Sequence, residues 1–119
     1  MQIYDFRTIS FNVGNVAVAV TATVPDQYVG IIAYTKYVSD SPDATVTVKL
    51  MQQRAGTITG TLDVAVLTPT NPMTFTVPGR IDNIVAIVDP GHRVVAVTNG
   101  PTVTGVLLLG YAPGRMRRP

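Results

Sequence analysis

Residues 81–113 read IDNIVAIVDPGHRVVAVTNGPTVTGVLLLGYAP, and this stretch decides the fold class. Three apolar runs, Ile84–Val88, Val94–Thr98 and Val103–Tyr111, are separated by Asp89-Pro90-Gly91-His92 and by Asn99-Gly100-Pro101. Pro90 presets its φ for the first central position of a turn, and Gly91 is free to take a positive φ at the second. Short apolar runs closed by turn residues read as strands. The spacing predicts a β-meander at the centre of the core. In the last run Val103, Leu107, Leu109 and Tyr111 share one parity and Val106 and Leu108 the other. Both faces of that strand are therefore expected to be covered.

The same pattern extends backwards through the chain. Ile9, Phe11 and Val13 alternate with Thr8, Ser10 and Asn12, and Gly14-Asn15 follows as a turn. Val16, Val18, Val20 and Val24 share a parity that Pro25-Asp26 ends. Residues Tyr28–Val38 are apolar on both parities, as in a strand covered on both sides. Val46, Val48 and Leu50 alternate with Thr45, Thr47 and Lys49, and Gln52–Gly56 reads as a break. In the next run Ile58, Leu62, Val64 and Val66 are the expected inward set, with Thr57, Thr59, Thr61 and Asp63 outward. Met73, Phe75 and Val77 suggest one more short strand between Thr68–Pro72 and the turn Pro78-Gly79.

Strands recurring every ~8–12 residues predict an all-β, two-sheet antiparallel β-sandwich. A jelly roll of about eight strands fits best, with an immunoglobulin-like sandwich next. Composition agrees. The 119 residues include 19 Val, 16 Thr and 8 Ile, all β-branched, and no Glu. Such residues lose side-chain freedom in helices and pack well on pleated surfaces. One domain over residues 1–113 and a basic tail over 114–119 is the expected organisation. No apolar run approaches the ~18 residues of a membrane-spanning helix. The opening residues, with Gln2, Tyr4, Asp5 and Arg7, carry no signal-peptide pattern.

The candidate chemistry is sparse. No Cys is present, which removes disulfides and thiolate ligands. His92 is the single histidine, three residues after Asp89, and both are read as decoration on a hairpin tip. Asp40 and Asp43 in the SDSPD loop are too few ligands for a calcium site. Gly-rich nucleotide loops and a G-x-S-x-G elbow are absent. Gly56, Gly60, Gly105 and Gly110 read as turns, bulges or close backbone contacts. The inventory predicts no enzyme, no cofactor, no metal, no small-molecule substrate and no membrane partner, and does not favour nucleic acid. Tyr28, Tyr34 and Tyr37 are read mainly as packing residues. As an alternative they form a stacking surface, with loop Asp residues around Ser39–Asp43, in a carbohydrate- or receptor-binding module.

Charge separates body from tail. Up to residue 114 six Lys/Arg face seven Asp, a net −1, and Arg115, Arg117 and Arg118 bring the chain to +2. Arg115, Met116, Arg117 and Arg118 are the expected partner-binding residues. Guanidinium groups form paired hydrogen bonds with carboxylates, and Met116 is available to fill an apolar notch. Only 13% of residues are charged, and Thr-faced strands do little to discourage edge pairing.

In its size, its Thr/Val-rich short strands and the segment RVVAVTNGPTVTGVLLLGYAP, residues 93–113, the chain resembles the small jelly-roll decoration, or cement, proteins of tailed bacteriophage capsids. That resemblance implies a non-enzymatic protein of the virion. It would bind the capsid surface at junctions between major capsid protein subunits, and would associate with copies of itself as dimers or trimers. It carries no residue motif onto particular positions.

Overall fold

A computed structural model describes residues 3–39, 44–68 and 84–113. They form eight strands: β1 (Tyr4–Val13), β2 (Val18–Ala19), β3 (Tyr28–Ser39), β4 (Val46–Arg54), β5 (Thr57–Leu67), β6 (Ala86–Val88), β7 (Arg93–Thr98) and β8 (Val103–Pro113). No helix occurs among the described residues. The expected strand Met73–Val77, the aspartates Asp40 and Asp43, and the tail residues Arg115, Met116, Arg117 and Arg118 lie outside them.

Two four-stranded antiparallel sheets face each other, with orders β1-β8-β3-β6 and β2-β7-β4-β5. Both orders follow from one rule. The chain behaves as a long hairpin closed at β4–β5, so that β3 meets β6, β2 meets β7 and β1 meets β8. Successive pairs go to alternate sheets, and the ribbon is rolled up. This is a jelly roll.

The same rule corrects the reading of residues 81–113. All three apolar runs contain strands, and both turns are present. The Asp89–His92 turn is closed by the His92 amide donating to the Asp89 carbonyl at 3.2 Å, with Gly91 at φ 78°. Yet β6 and β8 lie in one sheet and β7 in the other, so the segment is neither a meander nor a hairpin. Each turn hands the chain across the core. A strand pattern is local, whereas the choice of sheet is made by distant partners.

The core is the set of facing inner side chains. Val13, Ile32, Tyr37, Val103, Leu107 and Leu109 line it from the first sheet, and Val46, Val48, Leu50, Ala65, Val94 and Ala96 from the second. Ile32 pairs with Leu109 and Tyr34 with Leu108, so Ala33 is an extra residue in β3. This bulge exchanges the faces. Gly30 and Ile32 point inward before it, Thr35 and Tyr37 after it, and the apolar character of both parities is explained.

Gly105 allows a close approach. The Phe11 ring lies where a Cβ of Gly105 would be, and meets Tyr37 edge-on at 6.2 Å. Phe11, Gly105 and Tyr37 are paired across three adjacent strands, so one large ring covers the gap in the middle strand.

The β4–β5 hairpin turns on Ala55 and Gly56, both at positive φ (51° and 84°). That is the turn whose twist matches two flanking strands. It extends β4 through Gln52, Gln53 and Arg54, where the sequence suggested a break. In β2 the reverse holds. Only Val18 and Ala19 pair regularly, and Val16 is exposed. Beyond them the Thr21 hydroxyl accepts from the Val94 amide at 3.1 Å, replacing a ladder bond.

Candidate functional site

An open cleft of about 500 Å³ lies at one end of the sandwich, lined by Asp5, Arg7, Thr23, Pro25, Tyr28 and Tyr111. Its walls come from three separate parts of the chain. At the start of β1, Tyr4 pairs with Tyr111 and Arg7 with Leu109, so Asp5 and Phe6 together oppose Gly110. Asp5 takes φ 55° in this bulge. The Phe6 ring packs over Gly110, while Asp5 and Arg7 stand in the cleft. Thr23 and Pro25 flank Val24, which is fully buried and tied by its amide to the His92 carbonyl and by its carbonyl to the Gly91 amide. The Tyr28 amide donates to the Pro25 carbonyl at 3.0 Å, which fixes the start of β3. Tyr28 then meets Tyr111 edge-on, with ring centres 6.5 Å apart.

The three tyrosines considered from the sequence do not share a surface. Tyr28 reaches the cleft, Tyr34 lies on the outer face of its sheet, and Tyr37 is fully buried. A platform built from all three is excluded by the burial of Tyr37 and by the position of Tyr34 on the opposite face of β3 from Tyr28. Among the described residues no partner meets hydrogen-bond geometry with the Tyr37 hydroxyl. Burial pushes its ionisation well above the ordinary phenol value; the Thr35 side chain opposes this, and the charge of Asp63 adds to it. Asp63 itself lies opposite Leu50 on the inner side of β5. Burial raises its carboxyl above the ordinary value of 3.8, partly offset by the Val64 amide.

His92 is not an exposed ornament. It is 8% exposed, and its Nδ1 lies 2.9 Å from the Pro90 carbonyl. The turn that carries it is braced from β4. Gln52 donates from Nε2 to Asp89 and accepts from the Asp89 amide, at 2.9 and 3.1 Å. The Asp89 carboxylate is thus held by the Gln52 side-chain amide, and the His92 ring turns to the Pro90 carbonyl instead. No group of three metal-ligating side chains occurs among the described residues.

The outer surfaces carry apolar residues. Val64 and Val66 are 50% and 53% exposed, Val38 54% and Ile87 44%. Val64 and Val66 were expected inside. Instead Ala65 and Leu67 are buried, opposite Val48 and Val46. Three buried side chains of β4 fix the register, and a one-residue difference in parity reverses every side chain of the partner.

No protein-family model matches this chain, and no curated protein sequence matches it. Sequence reasoning missed Arg7, Thr23 and Tyr111 as site residues. Only the fold brings them together, so no spacing along the chain could have revealed them.

Proposed function

We propose that this chain is a virion structural protein, a decoration or cement protein that binds the outer surface of a phage head, associates with its own copies and stabilises the shell. One observation carries the reading. Large apolar side chains stand exposed on the outer sides of both sheets, Val64 and Val66 on β5 and Val38 and Ile87 on the other sheet, within a surface of low charge. Exposed apolar groups that are neighbours mark contact surfaces. A jelly roll is shared by viral coat and lectin domains, which is an analogy of fold alone. Many copies on one lattice hold by avidity without strong single contacts.

The test is co-sedimentation with phage heads assembled without this chain. Wild type is expected to pellet with them. A Val64→Lys/Val66→Lys variant is expected to stay in solution with its melting temperature nearly unchanged, since both positions are half exposed. Removing residues 114–119 should weaken attachment and lower its salt sensitivity. A wild-type chain that never pellets with heads would overturn the proposal. A second reading, a carbohydrate- or receptor-binding module of a fibre, draws on the Tyr28–Tyr111 cleft.

A further inference from the structure

We infer that the cleft between Asp5, Arg7, Thr23, Tyr28 and Tyr111 is a binding site for a neutral saccharide, a mono- or disaccharide unit of a glycan. This gives the second reading a site and a ligand class, and it concerns the cleft alone. It does not rest on attachment to a head.

Size and shape come first. About 500 Å³ lies within the ~300–1,000 Å³ of small-ligand sites, and the cleft opens at the end of the sandwich, where a chain of sugars could continue outward. The walls are preformed. Tyr28 is set by the Pro25 turn, Tyr111 by pairing with Tyr4 and Gly30, and Thr23 and Pro25 by the anchored Val24 between them. Little ordering remains to be done when a ligand enters.

The chemistry then selects the ligand. A sugar ring has an apolar C–H face and an edge of hydroxyls that both donate and accept. Tyrosine suits both, since it presents an apolar ring with a polar tip. Tyr28 is 37% exposed, so part of its ring is available. On the polar side, a carboxylate only accepts and a guanidinium only donates. Asp5 and Arg7 stand two residues apart on one strand with exposed side chains. Neither side chain has a hydrogen-bond or ion-pair partner among the described residues. Adjacent hydroxyls of one sugar match such a pair, one donating to Asp5 while the next accepts from Arg7. The Thr23 hydroxyl is a further partner at the opposite wall.

Charge excludes the nearest rivals. A phosphate or a sialic acid would be attracted by Arg7 and repelled by Asp5, whereas a neutral polyol engages both. The bulge serves this arrangement. Asp5 lies in it at φ 55°, Phe6 is folded onto Gly110, and Asp5 and Arg7 both line the cleft. Backbone held in a sparsely populated region and braced by its surroundings is a feature of ligand sites.

The experiment uses the full chain without any particle. A glycan array of neutral and sialylated glycans is screened first. Saturation-transfer NMR with methyl glycosides and disaccharides of glucose, galactose and mannose at millimolar concentration follows. Signal on at least one neutral sugar is expected, reduced tenfold or more by Arg7→Ala and by Asp5→Asn, with melting temperatures close to wild type. Tyr28→Ala should have a similar effect, and the two polar variants keep the test valid if it fails to fold. Absence of neutral-sugar binding in both assays would overturn the inference. So would binding that survives both Arg7→Ala and Asp5→Asn. Preference for sialylated glycans that strengthens in Asp5→Asn would also overturn it, by assigning the cleft to an anion.

Discussion

Strands β5 and β8 are each 11 residues long and apolar, yet the fold treats them in opposite ways. Strand β8 sits between β1 and β3, and Leu107, Leu108 and Leu109 are all buried. Strand β5 has β4 as its one neighbour within its sheet among the described residues, and Ile58, Val64 and Val66 are exposed while Asp63 is turned toward the core. Apolar content is therefore a poor guide to burial in this chain. Position within the sheet, together with the register imposed by a more constrained neighbour, decides it. On the proposed function the contrast also separates roles: β8 holds the sandwich together, and β5 offers a surface.

The largest test of that contrast is truncation on each strand. Leu107 is fully buried, so Leu107→Ala should lower unfolding free energy by about 2–5 kcal/mol. Val66→Ala should change it by no more than about 0.5 kcal/mol, as exposed substitutions do. Urea denaturation of both variants makes the comparison, and equal losses would break it.

Across the core, the charge of Asp63 on β5 is felt by Tyr37 on β3, the strand beside β8. The Tyr37 hydroxyl is buried without a hydrogen-bond partner among the described residues, and an unsatisfied buried hydroxyl costs about 1–3 kcal/mol. Tyr37→Phe is therefore expected to raise stability by about 1 kcal/mol. A loss of the same size would mean that the hydroxyl is satisfied in solution.

A smaller effect concerns pH. The Asp63 carboxyl is raised in the folded chain, so the folded state keeps its proton to higher pH than the unfolded state does. Its contribution to stability is greatest below the ordinary carboxylate value of 3.8 and is lost as pH rises through the raised value. Asp63→Asn should flatten the fall in melting temperature over that window and leave the variant more stable at neutral pH. An unchanged pH profile would remove Asp63 from the core side of β5.

Much of this architecture can be read from residues. Alternation located most strands, Pro90-Gly91 and Asn99-Gly100 marked the crossings, and the two apolar parities of residues 28–38 pointed to a strand covered on both sides. The unreadable part is whatever depends on distant partners. The last three runs looked like a meander because nothing local tells adjacent strands that they belong to different sheets. The parity of β5 was misjudged because Val64 and Val66 outweigh Ala65 in hydrophobicity, while the buried side chains of β4 set the pairing beyond two register shifts in the hairpin. His92 was misplaced for the same reason: a turn residue is exposed unless the turn is packed between sheets. The cleft lay beyond reach because Asp5, Thr23 and Tyr111 belong to three distant segments.

Hydrogen exchange of the chain, free and mixed with undecorated phage heads, tests most directly the proposal that β8 is the structural centre and β5 the contact surface. In the free chain the amides of Val106–Leu109 should exchange only by global unfolding, and those of Thr57–Val66 faster. On attachment, protection should rise within Thr57–Leu67 and stay unchanged in β8. Protection that rises elsewhere and leaves β5 untouched would contradict the account.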